Sequence, residues 1–284
     1  MQERRAKPEA TYAGRPLRWR LVAKPGSVIA VLAVVLVATA QGADAPGFEL
    51  ISASMTPKSA FYDGVDPLTV RVRFTAHGPS DLSIRIKRGK RIVRRLFVRD
   101  LEPGFQEIET WDGSRPSGKA AKEGAYRAFI KPVGGKGRPV GRFRLHNHIF
   151  PVRAKHGGRG WMGEFGAPRD DDRTHEGFDV VAACGKRLVA ARGGRVVRRG
   201  FDPELYGNYL LIKGRKTPRN YFYSHLRRPA EVGLKERVLT GQTLGEVGRT
   251  GNARTIGCHL HFEIRKHGHP IDPEPELRRW DRYS

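Results

Sequence analysis

The chain is poor in acid. It holds 29 Asp and Glu against 53 Lys and Arg in 284 residues, a formal net charge of +24. That deficit points to an anionic partner: nucleic acid, a membrane surface or an acidic wall polymer. The basic residues are scattered through all segments. There is no helix-turn-helix, no paired Cys/His finger and no aromatic RNA-binding signature, so nucleic acid is not the expected partner. No internal repeat or low-complexity tract occurs, which leaves no case for a solenoid or a disordered array. The C-terminal half lacks any long segment of period 3.6 and is therefore not a helical bundle. Only two cysteines are present, Cys184 and Cys258. An even number in an exported chain suggests a disulfide, and both lie in the same half.

What is present suffices for two domains with cores of their own, since 38% of the residues are hydrophobic. The N-terminus reads as a targeting segment. Arg4, Arg5, Lys7, Arg15, Arg18, Arg20 and Lys24 precede the apolar run Val28 to Ala40, and small-residue sites follow at Ala38-Thr-Ala40 and Ala43-Asp-Ala45. A positive flank, a short apolar core and an A-x-A site describe a secretory signal peptide over residues 1–45. The uncharged stretch Pro25 to Ala43 also approaches the ~20 residues that span a bilayer, so a signal anchor is the rival, and a membrane is expected as a partner only through that anchor. Both place everything after Ala45 outside the cytoplasm, secreted or anchored at the cell envelope.

Residues 46–134 read as an all-β module. Leu68-Thr-Val-Arg-Val-Arg-Phe74 alternates apolar and polar residues, and Leu82 to Lys87 and Ala125 to Ile130 do much the same. Short strands between Gly, Pro, Asp and Ser turns suggest a β-sandwich. The segment Trp111-Asp-Gly-Ser-Arg-Pro-Ser-Gly118, followed by Glu123-Gly-Ala-Tyr126, resembles the immunoglobulin-like repeat of flagellar hook-capping proteins. Its Trp-Asp-Gly would form a tight turn and the later Gly would enter an edge strand. Residues 135–149, within the Gly-, Pro- and charge-rich stretch from Lys131, are expected as a linker. Short strands resume in residues 150–284, at Arg187 to Ala191, Arg195 to Arg199, Tyr209 to Lys213, Tyr221 to His225 and His259 to Ile264. The fold class expected there is a compact antiparallel β domain.

The chemistry lies in this second half. In Cys258-His-Leu-His-Phe-Glu-Ile264 a strand puts His259 and His261 on one face and Leu260 and Phe262 on the other. Cys258 shares the core-facing parity, which argues for a structural role and against metal ligation. In His175-Glu-Gly-Phe-Asp179, Gly177 and the β-branched Val180-Val181 disfavour a helix, so His175, Gly177 and Asp179 share a face and Gly177 clears space between two side chains. One His and one carboxylate there, with one His from a neighbouring strand, make a site whose softness suits Zn2+. Other histidines read as bystanders. His146-Asn-His148 is expected as an exposed or half-packed strand, His267-Gly-His269 as a polar turn, and His77 and His156 as surface loops.

The ordered set Arg173-Thr-His-Glu-Gly-Phe-Asp179, Ala191-Arg-Gly-Gly-Arg-Val196, Tyr206-Gly-Asn208, Tyr223-Ser-His-Leu226, Gly241 to Gly251, His259-Leu-His-Phe-Glu263 and Pro270-Ile-Asp-Pro273 resembles the LytM or lysostaphin-like zinc metallopeptidases of family M23. That resemblance implies Zn2+ ligands at His175, Asp179 and His261, one ion per chain. It also implies catalytic roles for His225 and His259, with His259 taken as general base and His225 as transition-state stabiliser. The implied activity is hydrolysis of peptidoglycan peptide cross-links, with the positive charge holding the enzyme on an anionic wall. The alternative it allows is a non-catalytic LytM-like activator or scaffold for other wall hydrolases. The sequence departs from the family's short Gly- or Ser-rich segment at Asn252 to Cys258. A Cys184–Cys258 disulfide would tie that loop to the chain just after Asp179.

Overall fold

The computed structural model describes residues 47–169 and 172–284. The expected targeting segment, residues 1–45, lies outside the described residues. Among them no helix is long and apolar enough to cross a membrane. The architecture is all-β apart from short turns of helix.

Eight strands come first: β1 (Glu49–Thr56), β2 (Ser59–Phe61), β3 (Leu68–Thr75), β4 (Ser80–Arg88), β5 (Arg91–Leu101), β6 (Gly104–Trp111), β7 (Gly124–Pro132) and β8 (Arg138–His146). They form a three-stranded sheet, β1-β3-β6, and a five-stranded sheet, β2-β8-β7-β4-β5. Alternation decides which face each strand buries. Leu68, Val70, Val72 and Phe74 of β3, Leu82, Ile84 and Ile86 of β4, and Tyr126, Ala128 and Ile130 of β7 all enter one shared core. Two sheets over one core make a β-sandwich. The Trp111-Asp-Gly turn is tight as expected. Gly113 has φ +78, and a Cβ there would meet Leu145 Cδ1 at 2.7 Å.

Two expectations fail. Gly124 opens β7, which lies between β8 and β4 and is not an edge strand. Most of the expected linker is β8, paired with β7 along its length. Its Phe143 and Leu145 alternate into the core beneath a basic outer row, and the Gly and Pro signal marks only the β7–β8 turn.

The second group comprises β9 (His156–Gly158), β10 (Phe178–Ala182), β11 (Arg187–Val189), β12 (Gly194–Asp202), β13 (Gly207–Gly214), β14 (Arg219–Leu226), β15 (Arg237–Val238), β16 (Thr243–Glu246), β17 (His259–Lys266) and β18 (His269–Ile271), followed by α1 (Glu274–Asp281). The main sheet runs β15-β12-β13-β14-β17-β10-β9, with β18 also on β17, and β11 pairs β16 separately. All of these pairings are antiparallel. Leu260, Phe262 and Ile264 of β17 and Tyr221 and Tyr223 of β14 fill a second core. Leu277 and Trp280 of α1 close it.

Three bystander histidines are more deeply placed than expected. His146 and His148 are each 7% exposed. Their rings stack on Tyr283 and Trp280, at centroid distances of 3.7 and 4.6 Å. Large aromatic partners from the distant C-terminus supply this burial, which local sequence does not reveal. His156 lies in β9, not a loop, and stacks on Phe150 at 4.0 Å.

Residues Gly42–Ser284 form one compact unit. A direct tie joins the two cores. Buried Asp63 takes Arg215 Nη1 at 2.5 Å and also pairs with Arg237. Thr240 N donates to Asp63 O at 2.8 Å, and Val65 N to Thr240 O at 3.0 Å. Cys184 and Cys258 form a disulfide, with Cα atoms 5.3 Å apart.

Candidate metal centre

β10 and β17 run side by side, with Asp179 opposite His261 and Val181 opposite His259. That register places Asp179 and His261 on one face. His175 joins them from the loop before β10. Gly177 does clear space, for the His261 ring and the Phe262 carbonyl: a Cβ there would stand 2.9 Å from His261 Nε2 and 2.6 Å from Phe262 O. A side chain at this point would push β17 out of place.

Three atoms converge. His175 Nε2 lies 2.7 Å from His261 Nδ1. Asp179 Oδ1 is 3.0 Å from His175 Nε2 and 3.2 Å from His261 Nδ1. The outer atoms of both rings fix which nitrogen carries hydrogen. His175 Nδ1 faces the Glu164 carbonyl at 2.8 Å and must donate to it. His261 Nε2 faces the Glu263 carboxylate at 3.0 Å and donates there. Each ring is left with a lone pair on the atom that faces Asp179. Two imidazole lone pairs and a carboxylate aimed at one point can share only a positive charge, a proton or a metal ion. A tetrahedral ion with bonds of ~2.0–2.2 Å holds its ligands about 3.3–3.6 Å apart, so the three atoms, 2.7, 3.0 and 3.2 Å apart, would open slightly to take it.

The electrostatics agree. Burial opposes charge on His261, but hydrogen bonds to Asp179 and Glu263 outweigh it and raise its pKa to about 9. Burial would raise Asp179, yet the hydrogen bonds it accepts from His175 and His261 when a proton occupies the shared point hold its carboxyl well below the usual range. A relay of ion pairs supports the convergent face. Arg265 Nε donates to Glu263 Oε2 at 2.5 Å, and Arg265 Nη2 to Glu176 Oε2 at 2.9 Å. The second oxygen of Asp179 accepts from Arg159 Nη1 at 3.2 Å.

His225 and His259 complete the group, with ring centroids 4.7 Å apart. Strand parity alone would send His225 into the core with Tyr221 and Tyr223. A β-bulge intervenes: Asn208 pairs with Leu226 but Leu210 with Tyr223, leaving one extra residue on β14. His225 takes φ +63, and its ring turns to the His259 side. Tyr206 O accepts from His225 N at 2.9 Å, and Thr250 O accepts from His225 Nδ1 at 2.9 Å. Gly207 permits this, because a Cβ there would meet Thr250 Oγ1. His259 Nδ1 likewise donates to Gly257 O at 2.9 Å. Both rings keep a lone pair on Nε2. Burial, then the neighbouring His259 and His261, lowers the His225 pKa to about 3. Burial also lowers His259.

The five residues singled out by sequence, His175, Asp179, His225, His259 and His261, line one cavity of about 690 Å³. Glu164, Thr250, Glu263 and Arg159 were not among the expected site residues. Glu263 was detectable, since it shares the parity of His259 and His261. Glu164 and Thr250 act through backbone carbonyls, which carry no sequence signal.

Three lone pairs converging beside two further imidazoles give this all-β domain a candidate metal centre. Residues 173–273 match the model of Peptidase family M23, and the chain carries a Peptidase M23 domain there. It is 38% identical over 105 residues to the lipoprotein NlpD/LppB homolog of Pseudomonas aeruginosa, covering 37% of this chain and 34% of that protein. It is 36% identical over 96 residues to the peptidoglycan DD-endopeptidase ShyC of Vibrio cholerae, covering 34% of this chain and 21% of that one. Against the murein hydrolase activator NlpD of Escherichia coli it is 31% identical over 100 residues, covering 35% of this chain and 25% of that one. The match thus spans about a third or less of these curated relatives.

Proposed function

We propose that this chain is an exported, zinc-dependent endopeptidase that hydrolyses peptide cross-links of cell-wall peptidoglycan. The convergence of His175 Nε2, His261 Nδ1 and Asp179 Oδ1 within 3.2 Å of one another carries the reading. Two imidazoles and one carboxylate suit Zn2+ and leave a fourth position open. Zn2+ held there supplies a Lewis acid and acidifies water to a pKa of about 7. His259, whose Nε2 lies 3.9 Å from Asp179 Oδ2, takes the proton of the attacking water at that nitrogen. His225, neutral at rest and fixed by Thr250, lies beside His259 with ring centroids 4.7 Å apart and stabilises the developing oxyanion when its Nε2 carries a proton. Glu263 orients His261, and Arg159 orients Asp179. The sandwich acts as a rigid docking module, because the Asp63 tie leaves no free linker.

The second reading is an activator or scaffold of other wall hydrolases, favoured by the likeness to a protein named as a murein hydrolase activator. The intact ligand set and both further histidines weigh against it. Purified protein should bind about one zinc per chain and release new peptide ends from peptidoglycan. His261→Ala should do neither. Full activity in that variant, or in the wild type after chelation, refutes the peptidase. Zinc binding without cleavage, together with stimulation of a second wall hydrolase, establishes the activator instead.

A further inference from the structure

The two outer faces of the sandwich differ in charge. On the three-stranded sheet, cations meet acids: Arg71 is in register with Glu107 and pairs with it at 3.1 Å, and Glu109 sits beside Thr69. On the five-stranded sheet the core takes Leu82, Ile84, Ile86, Tyr126, Ala128, Ile130, Phe143 and Leu145. The alternate residues facing outward include six cations, Arg85, Lys87, Arg95, Arg127, Arg142 and Arg144, with Ser83, Ala125, Phe97 and Phe129 among them. Register sets cation against cation across neighbouring strands: Arg85 opposite Arg95, Lys87 opposite Arg127, and Arg127 opposite Arg142. Like charges directly opposite one another destabilise a sheet. Among the described residues none of these six has an ion-pair partner, and Asp81 stands only at the margin of the face. Phe97 rises beside them, 63% exposed, with the Arg95 guanidinium 5.9 Å from its ring. Lys87 Nζ lies 4.7 Å from the ring of Phe129.

We infer that this face is a docking surface for an anionic phospholipid bilayer, an interaction separate from the proposed hydrolysis and independent of it. The cations cover four adjacent strands, an area about 15 Å across at ~4.8 Å per strand. They spread over four adjacent strands of one sheet face and are not confined to a single strand. A linear polyanion follows a narrow track, whereas a two-dimensional array matches a layer of headgroups. Each cation gains from the negative surface potential. Phe97 adds an apolar group able to enter the interfacial layer.

Residues 42–284 are suited to the test. They form one compact unit that holds both cores and lacks the apolar N-terminal run. Binding is measured by co-sedimentation with vesicles of phosphatidylcholine alone and with about one-third phosphatidylglycerol. The anionic vesicles should bind the protein and the neutral ones should not. The triple charge reversal Arg95→Glu, Arg127→Glu, Arg142→Glu should weaken binding by about tenfold or more. Lys186→Glu, Lys266→Glu, Arg282→Glu makes the same change of net charge elsewhere and should weaken it by less than about threefold. Phe97→Ala should weaken it several-fold, and thermal melting confirms that each variant is folded. Equal losses in the two triples would reduce the effect to net charge and overturn the proposal. Binding to soluble polyphosphate without binding to anionic vesicles overturns it as well.

Discussion

Two of the chain's three His-x-His pairs are almost equally buried. His259 and His261 are 3% and 7% exposed, and His146 and His148 are both 7% exposed. Their chemistry nevertheless diverges. His259 and His261 lie within a continuous strand, so both rings face the same cavity. Carbonyl and carboxylate acceptors take the outer hydrogens and leave lone pairs turned toward Asp179. The other pair sits where β8 ends, so its rings separate. One lies flat on Tyr283 and the other on Trp280, and His148 Nε2 meets the Tyr221 hydroxyl at 2.7 Å. His146 Nε2 and His148 Nδ1 have no hydrogen-bond partner among the described residues. A histidine pair becomes a candidate metal site when neighbours direct its lone pairs together, and burial alone does not achieve that.

The comparison breaks most sharply on ligand removal. His261→Ala should eliminate zinc binding and peptidase activity, while His148→Phe should keep one zinc per chain by metal analysis and retain its activity. Loss of zinc in both variants would end the distinction between the pairs.

The next test lies within the first pair. His225→Ala and His259→Ala should keep their zinc yet lose roughly 10²–10⁴ in rate. Zinc lost with His259 would make it a ligand and reverse the assignment.

The tether comes third. Cys184→Ser with Cys258→Ser frees the strand that carries His259 and His261. It should cost up to about 4 kcal/mol, read as a lower melting midpoint. If both the midpoint and the zinc content are unchanged, the disulfide does not hold the site in register.

The smallest effect concerns pH. Burial lowers the pKa of His148 well below its ordinary value, and burial also lowers His146. Such groups accept a proton more readily in the unfolded chain. Their contribution to stability is complete above the unfolded pKa of ~6.5 and is lost as pH falls below it. Urea unfolding should therefore show stability falling below about pH 6.5. His148→Phe should flatten that limb by up to about 1.4 kcal/mol per pH unit. At neutral pH the same variant should cost about 1–3 kcal/mol, because the Tyr221 hydroxyl loses its partner. An acid limb of unchanged slope would remove His148 from this account.

Period-two alternation made the strands of both halves legible, and β3, β4, β7 and β17 lie where it placed them. The expected linker gives way to β8 because its Gly and Pro residues mark only a turn, while Phe143 and Leu145 beyond it alternate into the core. Parity correctly gave Leu260 and Phe262 to the core and kept Cys258 off the metal side. The same rule applied to β14 would have buried His225, since one inserted residue reverses the faces of a strand. The supporting carbonyls of Glu164, Gly257 and Thr250 had no signal at all, because every residue has a carbonyl.

By itself the sequence determined which residues could alternate inward, which carried nitrogen or carboxylate ligands, and that glycine stands at 177 and 207. These are properties of composition and spacing, fixed along the chain. Only the tertiary structure decided that His225 turns toward the cavity, that His146 and His148 are occupied by aromatic rings, and that Arg127 stands among other cations. Each of those outcomes depends on the register between strands distant in sequence. A shift of one residue there exchanges the two faces of a strand and every partner its side chains meet.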